Sequence, residues 1–140
     1  MMQAAREMSE ENLELAREGY QAWNRGDADW LMEHMTEDVE VEPLRGVGDF
    51  DKVYNGHEGW KRFWEGWREA WSTIEVHVER MEDMGDQGAL ALLTFEGVGR
   101  ESGAEVSMTV SHWLTFREGR VSAVRVLTPE AAERRREART

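Results

Sequence analysis

The sequence predicts an α+β fold, in which three N-terminal helices lie over the concave face of a curved antiparallel sheet and form a cone. Two observations predict this class. Apolar residues recur at helical spacing through much of the first half of the chain, and after Ser72 they alternate with polar residues between glycine-containing turns. Four hairpin-linked strands are long enough to curl, and helices laid across their concave side enclose a cavity suited to a small molecule.

The first two helices have recognisable boundaries. Ser9 is a candidate N-cap for the first helix, which then ends at Gly26, and Asp27 is placed to cap the second. The apolar stripe of the first helix is formed by Leu13, Ala16, Tyr20 and Trp23. The short second helix contains Trp30, Leu31, Met32, His34 and Met35.

A short strand and a third helix follow. Residues 38–42 alternate as a strand that closes at Pro43, with Val39 and Val41 on one face. Residues 44–56 show no hydrophobic periodicity, which predicts a mobile loop. The third helix runs from about 56 to 70, and its stripe is heavily aromatic: Trp60, Phe63, Trp64, Trp67 and Trp71.

The second half of the chain predicts the sheet. The four strands are residues 74–79, 89–99, 105–116 and 121–127, and the turns between them are 85–88, 101–103 and 117–120. Pro129 is at a position that favours a helix start. We therefore expect a single domain over residues 1–140, with a core at about 10–128 and a helical tail at 129–140.

Composition and charge exclude several classes of function. The net charge is −12, so nucleic acid and anionic lipid are not expected partners. No stretch approaches the roughly 18 apolar residues of a membrane span, and no N-terminal segment resembles a signal peptide. The chain has no cysteine, which suits a cytoplasmic location.

His112 is the candidate catalytic residue. The strand at residues 105–116 alternates, and His112 is the one titratable side chain on its apolar face. Burial disfavours the charged imidazolium, so a histidine there is neutral at pH 7 and able to exchange a proton. The alternative is a core histidine that is hydrogen-bonded to a neighbour or to a buried water.

Aromatic and aliphatic side chains are candidates for the wall of a ligand pocket. A planar ligand stacks on indole rings, although an aromatic stripe at helical spacing is also typical of a packed core. Tyr54 precedes the third helix near the expected cavity mouth. The candidate ligand-binding residues are Trp23, Trp60, Trp64, Trp67, Met35, Tyr54, Met108, Val110 and Val126.

No metal ion or organic cofactor is expected. His57 and Glu58 begin the third helix, but the second histidine that a zinc-binding helix requires is missing. His34 and His77 are isolated in the sequence. The pairs Gly46/Gly48 and Gly97/Gly99 lack the strand-and-helix context of a phosphate-binding loop.

Three segments carry a family resemblance. The segments "GYQAWNRGDADWLMEHMTEDVEVEP", "YNGHEGWKRFWEGW" and "SHWLTFREGRV" resemble the nuclear transport factor 2-like superfamily. The closest resemblance is to its SnoaL-like branch, which includes polyketide cyclases and is similar to ketosteroid isomerase. It covers about residues 10–128 and implies the ketosteroid isomerase-like, or cystatin-like, cone. The superfamily hosts isomerases, cyclases, hydrolases, dehydratases and carriers, so the likeness does not fix an activity.

The resemblance also allows a comparison of site residues. The five polar groups of the isomerase site fall on Gly19, Met35, Pro43, Trp64 and His112, and none is retained. Steroid isomerisation is therefore not implied, although His112 occupies a position that in relatives points into the cavity. Epoxide hydrolysis is disfavoured, because Tyr54 and Asn55 are present but the Asp–Arg–Asp set of the related limonene epoxide hydrolases is not found on the strands.

The predicted function is the binding of a small, largely apolar, ring-containing molecule in an internal pocket. A catalytic version would be a cofactor-independent isomerase, cyclase or dehydratase that uses His112 as its acid–base group. The alternatives are a non-catalytic binding or accessory protein and a homodimeric interaction module. The outer sheet face should display Glu75, His77, Glu79, Trp113 and Arg125, and the large ring of Trp113 there favours a homodimer.

Overall fold

The chain folds into an α+β structure with a six-stranded sheet, as the sequence predicts. The computed structural model describes the backbone of residues 2–44 and 53–138, and the side chains of residues 8–44 and 53–138. Its helices are α1 (Met2–Arg25), α2 (Ala28–Glu33), α3 (Gly56–Glu69) and α4 (Pro129–Glu137). Its strands are β1 (Met35–Glu42), β2 (Tyr54–Asn55), β3 (Trp71–Asp83), β4 (Ala89–Gly99), β5 (Glu105–Arg117) and β6 (Arg120–Leu127).

The strand order in the sheet is β2-β1-β6-β5-β4-β3. Strands β3 to β6 form the antiparallel meander that the turn-separated alternating segments predict. β1 pairs with β6 in parallel, and β2 adds an antiparallel edge to β1. Helices α1 and α3 pack against this sheet, with α1 on β3 and α3 on β1.

Two predicted helix boundaries are wrong. α1 begins at Met2, so Ser9 lies inside the helix rather than at its cap. The residues before it, including Ala4, Ala5 and Arg6, favour the helical state, and the helix therefore continues through Ser9. Met35 belongs to β1 and not to α2, because the His34 carbonyl accepts a hydrogen bond from Val121 N–H (3.0 Å) and draws the chain into the sheet.

The cap of the second helix follows the prediction. The Asp27 carboxylate accepts a hydrogen bond from the backbone N–H of Trp30 at 3.1 Å. This bond satisfies one of the orphan donors at the start of α2.

Most of the predicted loop at residues 44–56, with Asp49 and Asp51, lies outside the described residues. At its end, Tyr54 and Asn55 form β2 and pair with Val41 and Glu40. A two-residue strand carries no readable period, so sequence patterning alone does not find it.

Strand β3 contains a register irregularity next to a residue that is more exposed than its pattern predicts. The pairing of β3 with β4 slips between Val78 and Arg80. Val78, the last residue paired before this slip, is 38% exposed, although its alternation with Ile74 and Val76 predicts an inward side chain.

The outer face of the sheet is partly covered by α4, so the prediction that Trp113 is displayed there is wrong. Trp113 is 3% exposed and packs with Leu90 and with Ala132 of α4. Its indole N–H donates to the Gln87 carbonyl at 3.0 Å, and the guanidinium of Arg135 lies 4.8 Å from its ring centroid. Packing against α4 of the same chain thus explains why a large aromatic side chain occupies this outward-facing position. The other predicted outer residues, Glu75, His77, Glu79 and Arg125, are exposed.

Within the described residues, no helix combines the length and the apolar character that a membrane crossing requires.

Candidate functional site

An apolar chamber lies between the helices and the concave face of the sheet. Its volume is about 130 Å³. α1 contributes one wall through Ala16, Gly19, Tyr20 and Trp23, whose spacing of three and four places them on one helix face. The strands contribute inward-facing side chains from the opposite wall.

Aromatic rings form much of the chamber wall. Trp23, Trp60 and Trp67 line it together with Phe63 and Phe95. The rings are fixed by mutual contacts, because Trp67 meets Phe95 edge to face with centroids 5.5 Å apart. Large, interlocked rings give the wall a defined shape with flat apolar faces.

Two predicted wall residues lie elsewhere. Trp64 is 6% exposed but sits behind the wall, where its ring contacts Trp23 (4.7 Å between centroids) and Trp60 (5.2 Å). Tyr54 packs against Phe63 at 5.5 Å, and its backbone lies under Gly59 of α3. Neither is among the described residues that line the chamber. Both support the wall from behind, and Trp64 does so because the four aromatic side chains of α3 cover more than the one helix face that meets the chamber.

The remaining candidates all lie on the chamber. The strands place Met35, Met108, Val110 and Val126 around it, together with His112. His112 is in β5, where it pairs with Ala91 of β4 and Val126 of β6. Its neighbours two residues away, Val110 and Leu114, also face the chamber, as the strand alternation requires.

The polar centre of the chamber is a hydrogen bond between Tyr20 and His112. The Tyr20 hydroxyl oxygen lies 2.9 Å from Nδ1 of His112, and the two rings are tilted at 42° with centroids 5.8 Å apart. Burial lowers the pKa of His112 from 6.5 to about 4. Burial also raises the pKa of the Tyr20 hydroxyl well above its usual value. Both side chains are therefore neutral at pH 7.

Tyr20 is the candidate site residue that sequence reasoning missed. Its place in the α1 stripe is equally typical of a core residue, and its partner is 92 positions away. One signal could have found it: the inner face of α1 carries a hydroxyl group, the inner face of β5 carries an imidazole, and these two polar groups can form a hydrogen bond in an otherwise apolar interior. That pairing requires the knowledge that α1 crosses β5.

The chamber carries little charge. Among the described residues that line it, none is Asp, Glu, Lys or Arg. The other lining histidine, His34, is engaged with the protein, since its Nδ1 lies 2.7 Å from the Trp30 carbonyl and its ring stacks on Trp30 at 3.8 Å. Within the described part of the chain, no three His, Asp or Glu side chains are grouped so that they could hold a metal ion.

Comparison with known proteins extends these observations. A family model described as the SnoaL-like domain matches residues 16–124. None of the curated proteins is significantly similar to the chain.

Solved structures share the fold at low sequence identity. TerC co-crystallised with polyporic acid superposes with a TM-score of 0.76 at 20% identity, over 89% of this chain and 96% of that one. A nuclear transport factor 2-like protein of unknown function from Burkholderia pseudomallei K96243 gives 0.77 at 18% identity, over 89% and 95%. SalBIII, an epoxide hydrolase/cyclase-like enzyme in pyran ring formation in the polyether salinomycin, gives 0.71 at 19% identity, over 84% and 90%.

Proposed function

This chain belongs to the SnoaL-like family, and we propose that its chamber binds a small, largely apolar molecule that contains a ring. One observation carries the proposal: the wall of the 130 Å³ chamber is apolar and aromatic, with one hydrogen-bonded polar pair at its centre. Water in such a chamber finds few of the two to four polar partners that it needs. An apolar guest makes dispersion contacts with the rings instead.

A chamber-filling variant tests the binding proposal. Gly19 lines the chamber, and a Cβ added there fits without a clash, since its nearest neighbours, the side chains of Leu31 and Trp30, are 4.0 Å away. We expect toluene to quench or shift the tryptophan fluorescence of the native protein, because four of the seven tryptophans line the chamber. Gly19→Leu should abolish this response. The control variant Gln21→Leu, which places a leucine on the exposed face of α1, should retain the fluorescence response. An unchanged response in Gly19→Leu would contradict the proposal.

A catalytic version assigns His112 as the acid–base group of a cofactor-independent isomerisation, cyclisation or dehydration. The position of a buried imidazole in the chamber wall supports this assignment. Epoxide hydrolysis is less well supported, since no described lining residue is a carboxylate. His112→Phe should remove turnover and leave apolar ligands bound. A turnover rate that survives this change would end the assignment.

A non-catalytic binding or accessory role is the second candidate. The observation that favours it is the pKa of about 4 for His112, because a group with so low a pKa is a weak general base at neutral pH. Saturable binding of ring compounds with no chemical change in any of them would support this candidate.

The homodimer remains a separate prediction. The outer face of β5 offers the exposed residues Ser107 and Thr109 outside the area that α4 covers. Sedimentation at micromolar concentration measures the association directly. Thr109→Arg should split a dimer formed through this face, and a native protein that stays monomeric at high concentration removes the prediction. A cytoplasmic location is likewise proposed from the absence of cysteine alone.

A further inference from the structure

The hydrogen bond between Tyr20 and His112 determines which ring nitrogen carries the proton. A phenol is a much stronger acid than the N–H of a neutral imidazole, and the unprotonated imidazole nitrogen is a much stronger acceptor than a phenol oxygen. The Tyr20 hydroxyl therefore donates to Nδ1 of His112 across the 2.9 Å contact. Because the ring is neutral, its single hydrogen resides on Nε2.

The Nε2–H group is available to a ligand. Among the described residues none makes a hydrogen bond to Nε2, and this atom is not one of the buried polar atoms that are sealed from solvent and lack a partner. His112 lines the chamber, so an N–H on its Nε2 is placed to meet a ligand bound there. The described lining residues include no carboxylate that could accept a hydrogen bond from this N–H group.

The size of the chamber limits the ligand to a single ring. An engineered protein cavity of about 150 Å³ with apolar walls binds benzene. The chamber volume of about 130 Å³ is comparable, so it accommodates one six-membered ring with a short substituent. A fused polycyclic compound would have to displace wall residues such as Trp60 and Phe63, whose rings are buried and packed.

Building on the proposed function, we propose that the ligand is a monocyclic compound with one uncharged acceptor oxygen, such as an aryl ketone, which accepts a hydrogen bond from Nε2–H of His112. Tyr20 is a positioning residue that holds His112 in the donating tautomer. His112 then acts on the ligand as a donor that polarises its carbonyl group and not as a base that removes a proton from it.

A pair of nearly isosteric probes tests the donor. Acetophenone and α-methylstyrene differ in that a carbonyl oxygen replaces a methylene group. We expect the native protein to bind acetophenone about three- to tenfold more tightly, as one net hydrogen bond provides. This preference should disappear in His112→Phe, weaken in Tyr20→Phe, and persist in Tyr54→Phe, which makes the same change in a tyrosine outside the chamber. The tricyclic ketone anthrone should not bind.

The outcomes separate this inference from the proposed function. Equal affinity of the native protein for the two monocyclic probes would leave the proposed function standing and overturn the inference. Failure of both probes and of toluene to bind would overturn both. Tight binding of anthrone would overturn the size limit.

A second readout addresses the tautomer and needs no ligand. Side-chain ¹⁵N spectra of histidine distinguish a protonated Nε2 from a protonated Nδ1. His112 should be the Nε2–H form in the native protein and in Tyr54→Phe, and it should become a mixture in Tyr20→Phe. A native His112 that carries its proton on Nδ1 would overturn the proposal even if the variants fail to fold.

Discussion

The side chain of Asn24 pairs with the backbone of Val76 as if it were a short additional strand. Its Nδ2 donates to the Val76 carbonyl at 2.9 Å, and its Oδ1 accepts from the Val76 N–H at 2.8 Å. Val76 lies in β3, which is the edge of the sheet next to α1. One amide near the C-terminal end of α1 thus satisfies both polar groups of an edge residue and fixes the helix against the sheet.

Asn24→Ala should lower the free energy of unfolding by about 1–2 kcal/mol, because two hydrogen bonds are lost at a partly solvated edge. Asn24→Asp should cost at least as much at neutral pH, since it places a carboxylate oxygen opposite the Val76 carbonyl. Urea denaturation of both variants measures the effect. A loss under 0.3 kcal/mol for either would mean that water replaces the amide.

Stability should fall as the pH drops below 6.5, in part because of His112. Its pKa is lowered from 6.5 in the unfolded chain to about 4 in the folded protein, so the unfolded chain binds the proton more readily. The contribution is complete above pH 6.5, decreases as the pH falls and is lost once the pH passes through about 4, with a total of roughly 3 kcal/mol.

His112→Phe isolates that contribution, because it removes the titrating group and approximately conserves the volume. The unfolding free energy of the variant, measured between pH 4 and 7, should decline less steeply than that of the native protein. Parallel curves for the two proteins would show that His112 is not responsible. An NMR titration of His112 with a pKa above 7 would also contradict the neutral form.

Two glycine-to-alanine changes should have opposite effects. Gly19→Ala should stabilise the protein by up to about 1 kcal/mol, since alanine favours the helix and its Cβ meets nothing closer than 4.0 Å. Gly97→Ala should destabilise by about 1–3 kcal/mol, because its Cβ would lie 2.5 Å from the Thr73 carbonyl oxygen in the neighbouring strand. Thermal denaturation of the two variants shows whether each change raises or lowers stability. A change of the same sign in both variants would contradict the packing described for α1.

Trp113 should be important for stability and not for binding. Trp113→Ala should cost about 3–5 kcal/mol, as expected for the loss of a buried indole, and Trp113→Phe should cost less while losing the hydrogen bond to Gln87. Toluene and acetophenone should bind to the folded Trp113→Phe variant as they bind to the native protein, because the residue lies on the opposite side of the sheet. Weaker binding by the folded variant would link the outer cluster to the chamber.

Local patterns predict the parts of the fold that form between neighbours in the sequence. The alternation of β4 and β5 and the glycine turns between them require only nearby residues, and the structure follows them. The parallel pairing of β1 with β6 has no local signature, because parallel partners come from distant segments. The same distance explains why the sequence predicts Met35 in a helix, since its partner in the sheet is Val121. β2 escapes prediction for a different reason, because two residues carry no readable period.

The chamber wall shows a similar division. Periodicity places Met108, Val110 and His112 on the inner face of β5, since a strand has only two faces. On α3, periodicity does not distinguish the residues that line the chamber, Trp60 and Trp67, from Trp64, which packs behind them. The aromatic stripe of the helix is wider than the part of the helix that meets the chamber. The partnership of Tyr20 and His112 depends on the crossing of α1 over β5, which no periodicity encodes.

The parallel pairing of β1 with β6 predicts an order of assembly. Val41 pairs with Val124, 83 positions further along the chain, whereas β3 to β6 are joined by tight turns. Closing the long loop costs more chain entropy than closing the hairpins, so we expect the meander to form the nucleus and β1 to dock late. In stopped-flow experiments Val110→Ala should mainly slow folding, and Val41→Ala should mainly accelerate unfolding. We therefore expect the sheet side of the chamber to form before the helices are anchored over it, and a nascent chain to complete the chamber only after β6 has been synthesised.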